Sequence, residues 1–188
     1  MKAFDFDNTI YQGESSVDFA FFALRKNKRI LLYLPSLLWN AVMYRLCLVS
    51  RDKLEKRINN AVQFIFRDKN EIISLTAGFW ERNYHKLDSR MLKRINDDDI
   101  IITAGPSFLI SAIADRLGTS NLLCTEVDWD KMKISFFNFG ENKVRRYREL
   151  YGDEPVDCFY TDSYNDRSMM DISERVFLVK NGRIKSIK

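Results

Sequence analysis

Asp5 and Asp7 stand one residue apart where a short apolar run ends, in Met1-Lys2-Ala3-Phe4-Asp5-Phe6-Asp7-Asn8-Thr9, with Gly13 close behind. On extended backbone, side chains two positions apart share a face only while the strand continues. A loop at the strand end can turn both acids into one pocket. There one carboxylate can attack an electrophile or hold a cation while the other moves protons. Taken alone, the pair reads equally well as an acidic turn.

Three later segments add to it. Asp99-Ile100-Ile101-Ile102-Thr103-Ala104-Gly105-Pro106 is a β-branched run that stops at a hydroxyl and small residues, with Pro106 suited to open a helix. The Thr103 hydroxyl and the free N–H groups of such a turn, at Ala104 and beyond, suit an anion. Lys143 follows Gly140 at the start of an expected helix, and Cys158-Phe159-Tyr160-Thr161-Asp162 ends another apolar run, with Asp166 four residues on.

These four segments, in this order, resemble the four motifs of the haloacid dehalogenase superfamily of phosphohydrolases. The long insert between the first two resembles the phosphoserine-phosphatase-like subfamily with a helical cap. The resemblance implies that Asp5 is the nucleophile and that Asp7 is the acid and then the base. It implies that Thr103, Ala104 and Lys143 hold the phosphoryl group. Asp5, Asp162 and the backbone carbonyl of Asp7 would bind Mg²⁺, with Asp166 supporting that site. Glu14 lies nine residues after Asp5, where a Glu of phosphoserine phosphatases meets the substrate amine; a charge at a helix N-terminus is its plainer reading. Because Asp7 is present, the resemblance points to phosphate-ester hydrolysis rather than to the family's dehalogenases, phosphonate-cleaving members or P-type ATPases. The departures are Asn8, Gly105, Thr161 and Ser163-Tyr164, and none removes a catalytic functional group.

The elements that must position these residues alternate. Strands are expected over 2–6, 100–104, 121–127, 132–139, 156–161, 175–179 and 183–187. Helices are expected over 106–117, 142–151 and 166–173, and Asn181-Gly182 gives a hairpin signal. The expectation is an α/β fold: a Rossmann-like, mostly parallel sheet flanked by helices, with an inserted all-helical cap. Residues 1–13 and 97–188 would form the core and 14–96 the cap. Within the cap, helices are expected over 15–27, after Ser50, and from a capping box at Asp68 and Glu71 to about Leu87.

Composition narrows the function. With 188 residues and 46% hydrophobic content, the chain can bury a core. Three scattered cysteines (Cys47, Cys124 and Cys158) show no metal spacing and suit a reducing cytoplasm, and a strand starting at residue 2 leaves no expected signal peptide. The single histidine, His85, falls in the cap and excludes a multi-His metal site. The net charge of +4 splits into +6 over residues 13–98 and −2 elsewhere, a basic cap over an acidic core that suits an anionic substrate. No nucleic-acid motif accompanies the charge.

The segment 30–49 is strongly apolar and flanked by basic residues. A single membrane crossing there would separate Asp5 from Thr103. Three readings stay open: buried cap core, a surface contacting membrane or lipid, and a homodimer interface. The leading expectation is a Mg²⁺-dependent phosphomonoesterase for a small phosphorylated metabolite. Its alternatives are a phospholipid head-group phosphatase of the phosphatidylglycerophosphate type and a non-catalytic phospho-ligand sensor.

Overall fold

A computed structural model describes residues 1–26, 69–180 and 182–188, with isolated positions 35, 39, 53, 56, 59 and 60 between them. Strand β1 (Lys2–Phe4) lies mid-sheet. It is followed by β2 (Ile100–Pro106), β3 (Leu122–Asp128), β4 (Lys133–Phe136), β5 (Val156–Thr161), β6 (Ser173–Lys180) and β7 (Arg183–Ser186). Their order across the sheet is β4-β3-β2-β1-β5-β6-β7. The five central strands run parallel, and β4 and β7 are antiparallel edges.

The sequence makes this sheet because its central strands are apolar on both faces. Ala3, Ile100 and Ile102 join one buried cluster with Tyr147, Phe159 and Val176. Phe4 and Ile101 join the other with Phe6, Trp80 and Tyr160. Helices cover those faces: α1 (Ser15–Lys26), α2 (Lys69–Asn83), α3 (Ser89–Leu92), α4 (Ser107–Ser111), α5 (Ala114–Leu117), α6 (Glu141–Tyr151) and α7 (Arg167–Asp171). All of these are counted among the described residues.

The insert between β1 and β2 is tied to the sheet by aromatic side chains. Phe19 and Phe22 of α1 meet Phe79 of α2 edge-on, at centroid distances of 5.6 and 6.0 Å. Trp80 packs edge-on against Tyr11 at 5.7 Å and donates its indole N–H to the Leu109 carbonyl at 2.7 Å. A buried indole without that acceptor would be costly.

Two of the departures from expectation have a clear physical cause. The helix expected over 106–117 is split into α4 and α5, because Ile113 leaves the helical region (φ −126°). The break lets Ile110, Ile113 and Leu117 all reach the core. The helix expected to run to Leu87 ends at Asn83 and passes into a 3₁₀ turn, Tyr84–Lys86. The returning chain then exchanges backbone bonds with the loop after β1: Gln12 N–H to Lys86 O and Asp88 N–H to Ile10 O, both 2.8 Å. A continued helix would forfeit both.

Most of the segment 30–49, the helix expected after Ser50 and the Asp68 end of the capping box lie outside the described residues. Among the described residues, no helix is long and apolar enough to cross a membrane.

Candidate active site

Every expected site residue except Glu14 lies in the C-terminal half of a parallel strand, just past its end, or at the start of a helix there. In open α/β sheets that is the ligand-binding edge. Asp5 is the first residue past β1, and its N–H still donates to Tyr160 O at 2.8 Å. The ladder therefore holds the Asp5 backbone even though the strand has ended. The chain then turns sharply: Ile10 and Tyr11 donate to Phe6 O at 2.8 and 2.9 Å, and Asn8 donates to Gly13 O at 3.0 Å. Asn8 takes a left-handed conformation (φ 56°), which Asn tolerates better than most side chains.

Lys143, from the first turn of α6, is the centre of the cluster. It is 3% exposed, and its ammonium donates to Asp5 Oδ1 at 2.9 Å and to Asp166 Oδ1 at 2.6 Å. The second oxygen of Asp166 accepts from the Thr161 hydroxyl at 2.9 Å. Three segments far apart in sequence thus meet in one buried ion network. The described residues place no donor on Asp5 Oδ2, which leaves that oxygen free to react.

Asp7 is held at the start of α1, where the Ser15 N–H donates to its Oδ1 at 2.7 Å. Glu14 is exposed and accepts from the Asn8 amide at 2.9 Å. Asp162 is half-buried at the edge of a cleft that it shares with Asn8 and Thr9. Thr103 is buried, and its hydroxyl accepts from the Gly105 N–H at 3.0 Å, within the C-terminal half of β2. The Ala104 carbonyl accepts from the Thr125 hydroxyl at 2.7 Å.

Two contributors escaped the sequence reading. Asn138 is fully buried and donates to Thr103 O at 3.0 Å and Leu123 O at 2.7 Å, joining the ends of β2 and β3. Its signal was an amide inside an aromatic run, Phe136-Phe137-Asn138-Phe139. Thr161 counted only as a departure from the family pattern, yet it is the residue that orients Asp166.

The electrostatics follow from burial. Burial pushes the Asp5 carboxyl up, Lys143 pulls it down and Asp166 pushes it up again, leaving it above the usual carboxylate range. Burial alone would lower the Lys143 ammonium, but Asp5 and Asp166 together hold it above its ordinary value. Asp162 is raised by burial and then by Glu14 and Asp166. Asp7 is raised by burial to about 6, against the opposing effect of Ser15.

This crowd of carboxylates around one lysine fits a hard divalent cation, which would relieve the repulsion and favour the anionic form of Asp5. No group of three His, Cys, Asp or Glu among the described residues forms a ready-made cage. Mg²⁺ does not need one, since it keeps waters and takes one or two carboxylates. Cys124 is no competing nucleophile: it is buried and its thiol is pushed up to about 12. His85 is exposed on the 3₁₀ turn.

A stability prediction follows from Asp7. A carboxyl whose folded pKa is raised contributes fully below its unfolded value near 4 and loses that contribution as pH rises through about 6. Asp7→Asn should therefore stabilise the metal-free protein over its parent, little at pH 4.5 and by on the order of 2 kcal/mol at pH 7. Thermal melts in chelator at the two pH values measure this. A difference independent of pH would show that Asp7 is not desolvated.

The family model of haloacid dehalogenase-like hydrolases matches residues 3–171. The chain belongs to that family. No curated protein matches it. Among solved structures, it is similar to a protein of unknown function from Bordetella pertussis Tohama I, with 18% identity and a TM-score of 0.78 over 94% of this chain and 87% of that one. It is also similar to a phosphoserine phosphohydrolase-like protein from Francisella tularensis subsp. tularensis SCHU S4, with 19% identity and a TM-score of 0.64 over 94% and 86%. A phospho-aspartyl intermediate analogue of phosphoserine phosphatase matches with 12% identity and a TM-score of 0.54 over 93% and 83%. At these identities the likenesses establish the fold.

Proposed function

We propose that the chain is a Mg²⁺-dependent phosphomonoesterase that works through an aspartyl-phosphate on Asp5. The observation that carries this is the buried contact of Lys143 with both Asp5 and Asp166, with Asp7 fixed at the start of α1. Residues 1–13 and 97–188 form the core, and 14–96 form the cap.

Asp5 Oδ2 attacks phosphorus and the ester P–O bond breaks, while Asp7 gives its proton to the leaving oxygen. Asp7 then takes a proton from water as that water attacks phosphorus, which frees Asp5 and inorganic phosphate. A carboxyl near 6 can serve both directions close to neutral pH. Lys143 neutralises charge that develops on the transferring group. The Thr103 segment supplies further donors. Asp5, Asp162 and the Asp7 carbonyl would hold Mg²⁺, with Asp166 behind them, and the ion would screen the repulsion between nucleophile and phosphate.

A second reading, hydrolysis of a phospholipid head-group phosphate, draws on exposed apolar side chains. Val17, Phe21, Trp39 and Ile73 all lie in the insert. The deciding experiment is phosphate release from phosphoserine, sugar phosphates, nucleotides and phosphatidylglycerophosphate in detergent, with Mg²⁺ and with chelator. Chelator-sensitive release is expected, and a requirement for lipid or detergent would select the second reading. Release that survives chelation would sink the metal assignment.

A further inference from the structure

The cleft beside the site has a volume of about 800 Å³ and two chemically different parts. Asn8, Thr9 and Asp162 line one part, which reaches the proposed metal site through Asp162. Arg90 and Lys180 line the other. Nothing in the reaction described above uses those two cations.

The basic part is built rather than incidental. Asp88 is buried and grips Arg90 three times: it accepts from the backbone N–H at 2.8 Å, from Nε at 3.1 Å and from Nη2 at 2.7 Å. A bidentate carboxylate fixes the guanidinium plane, and the remaining N–H donors stay available. The β6–β7 turn presses on this pair. Gly182 has a positive φ of 72°, and a Cβ there would collide with the Arg90 guanidinium. Asp88 is in turn bonded to the Ile10 carbonyl, so the far wall is anchored to the catalytic loop.

Lys180 also lines the cleft, exposed at the end of β6. Its register partner is Arg183, and Leu178 stands opposite Lys185. These four share one face of the hairpin and line an adjoining groove of about 580 Å³. Among the described residues, Lys180, Arg183 and Lys185 make no salt bridge. The cleft therefore joins Asp162, of the proposed metal site, to a cationic part that the hairpin reinforces.

We propose that Lys180, beside the Asp88-held Arg90, binds a second anionic group of the substrate. The substrates are then phosphate monoesters that also carry a phosphate, phosphodiester or carboxylate. This rests on the phosphatase reading and narrows it to a substrate class. An ester with a neutral leaving group would leave both cations facing water.

The test measures binding by calorimetry in the Asp5→Asn background with Mg²⁺, so that no turnover is needed. The ligands are matched pairs: a hexose bisphosphate against its monophosphate, phosphoglycolate against ethyl phosphate, and phosphatidylglycerophosphate in detergent against glycerol phosphate. At least one doubly anionic ligand should bind about tenfold tighter than its partner. Lys180→Glu should erase that preference, Lys180→Arg should keep it, and added salt should weaken it. A preference confined to the lipid pair assigns the second anion to a lipid phosphodiester; one seen in the other pairs assigns it to a metabolite. No preference in any pair, or a preference untouched by Lys180→Glu, overturns the proposal. Absence of phosphate release by the parent enzyme counts against the hydrolase reading instead, since the binding ratios judge the cleft independently.

Discussion

Asp5→Asn should lower kcat by at least about a thousandfold, because an amide oxygen cannot act as the attacking nucleophile. The loss should not come from misfolding. Asp5 is 7% exposed, and its carboxyl sits above its ordinary range despite the lysine beside it. A buried charge of that kind costs stability, so the neutral amide should leave the chelated protein as stable as its parent or more so. Lys143 keeps its contact with Asp166 at 2.6 Å, which preserves the rest of the network. Kinetics and thermal melts on the same preparation separate the two effects. A trapping experiment completes the test. Parent protein quenched in acid during turnover should carry one phosphoryl group on Asp5, and Asp7→Asn should accumulate more of it, because release of the intermediate needs the base. Turnover in Asp5→Asn near the parental rate would remove the covalent route.

The strands that deliver Thr103 and Asp162 were legible because parallel strands buried on both faces must be apolar throughout, and Ile100-Ile101-Ile102 and Cys158-Phe159-Tyr160 are such runs. The acids were legible because each stands where such a run stops. The sequence could not show how they are wired. Lys143 reads as a surface residue of a polar helix, and only the fold reveals that the first turn of α6 is pressed against Asp5. Asn8 looked like a departure from the family pattern; its left-handed backbone shows that the turn needs a residue tolerant of positive φ. The break in 106–117 was hidden for a different reason. Helical periodicity reports which face is apolar, but Ile113 is buried by leaving the helix rather than by following it. The cationic part of the cleft was invisible for a third. Asp88, Arg90 and Lys180 are ordinary charged residues in sequence, and they line one cleft only because the β6–β7 turn packs over Arg90.

Lys143→Met should have the broadest effect of any single change at the site. Its ammonium is the single cation in contact with both Asp5 and Asp166 among the described residues. Removing one partner of a buried ion network leaves the others uncompensated, typically at about 3–5 kcal/mol. Here two carboxylates are stranded together, and Asp166 pushes the Asp5 carboxyl up. The Asp5 carboxyl, already above its ordinary range, should rise further without the lysine, which fixes the sign of the pH dependence. The variant should be least destabilised in acid, where Asp5 takes up a proton, and most destabilised at neutral pH. Activity should fall by about a hundredfold to a thousandfold, since a preorganised charge aimed at the transferring group is lost. The second substitution Asp166→Asn removes one of the stranded charges. The double variant should therefore recover much of the stability at pH 7 and little of the activity. That split separates the two roles of the lysine: it neutralises a buried acid pair at rest and the phosphoryl charge during reaction. Melts and kinetics on the two single variants and the double variant form a complete cycle. Additive losses in stability would mean that Lys143 and Asp166 are not coupled, and full recovery of kcat in the double variant would deny Lys143 any part in the chemical step.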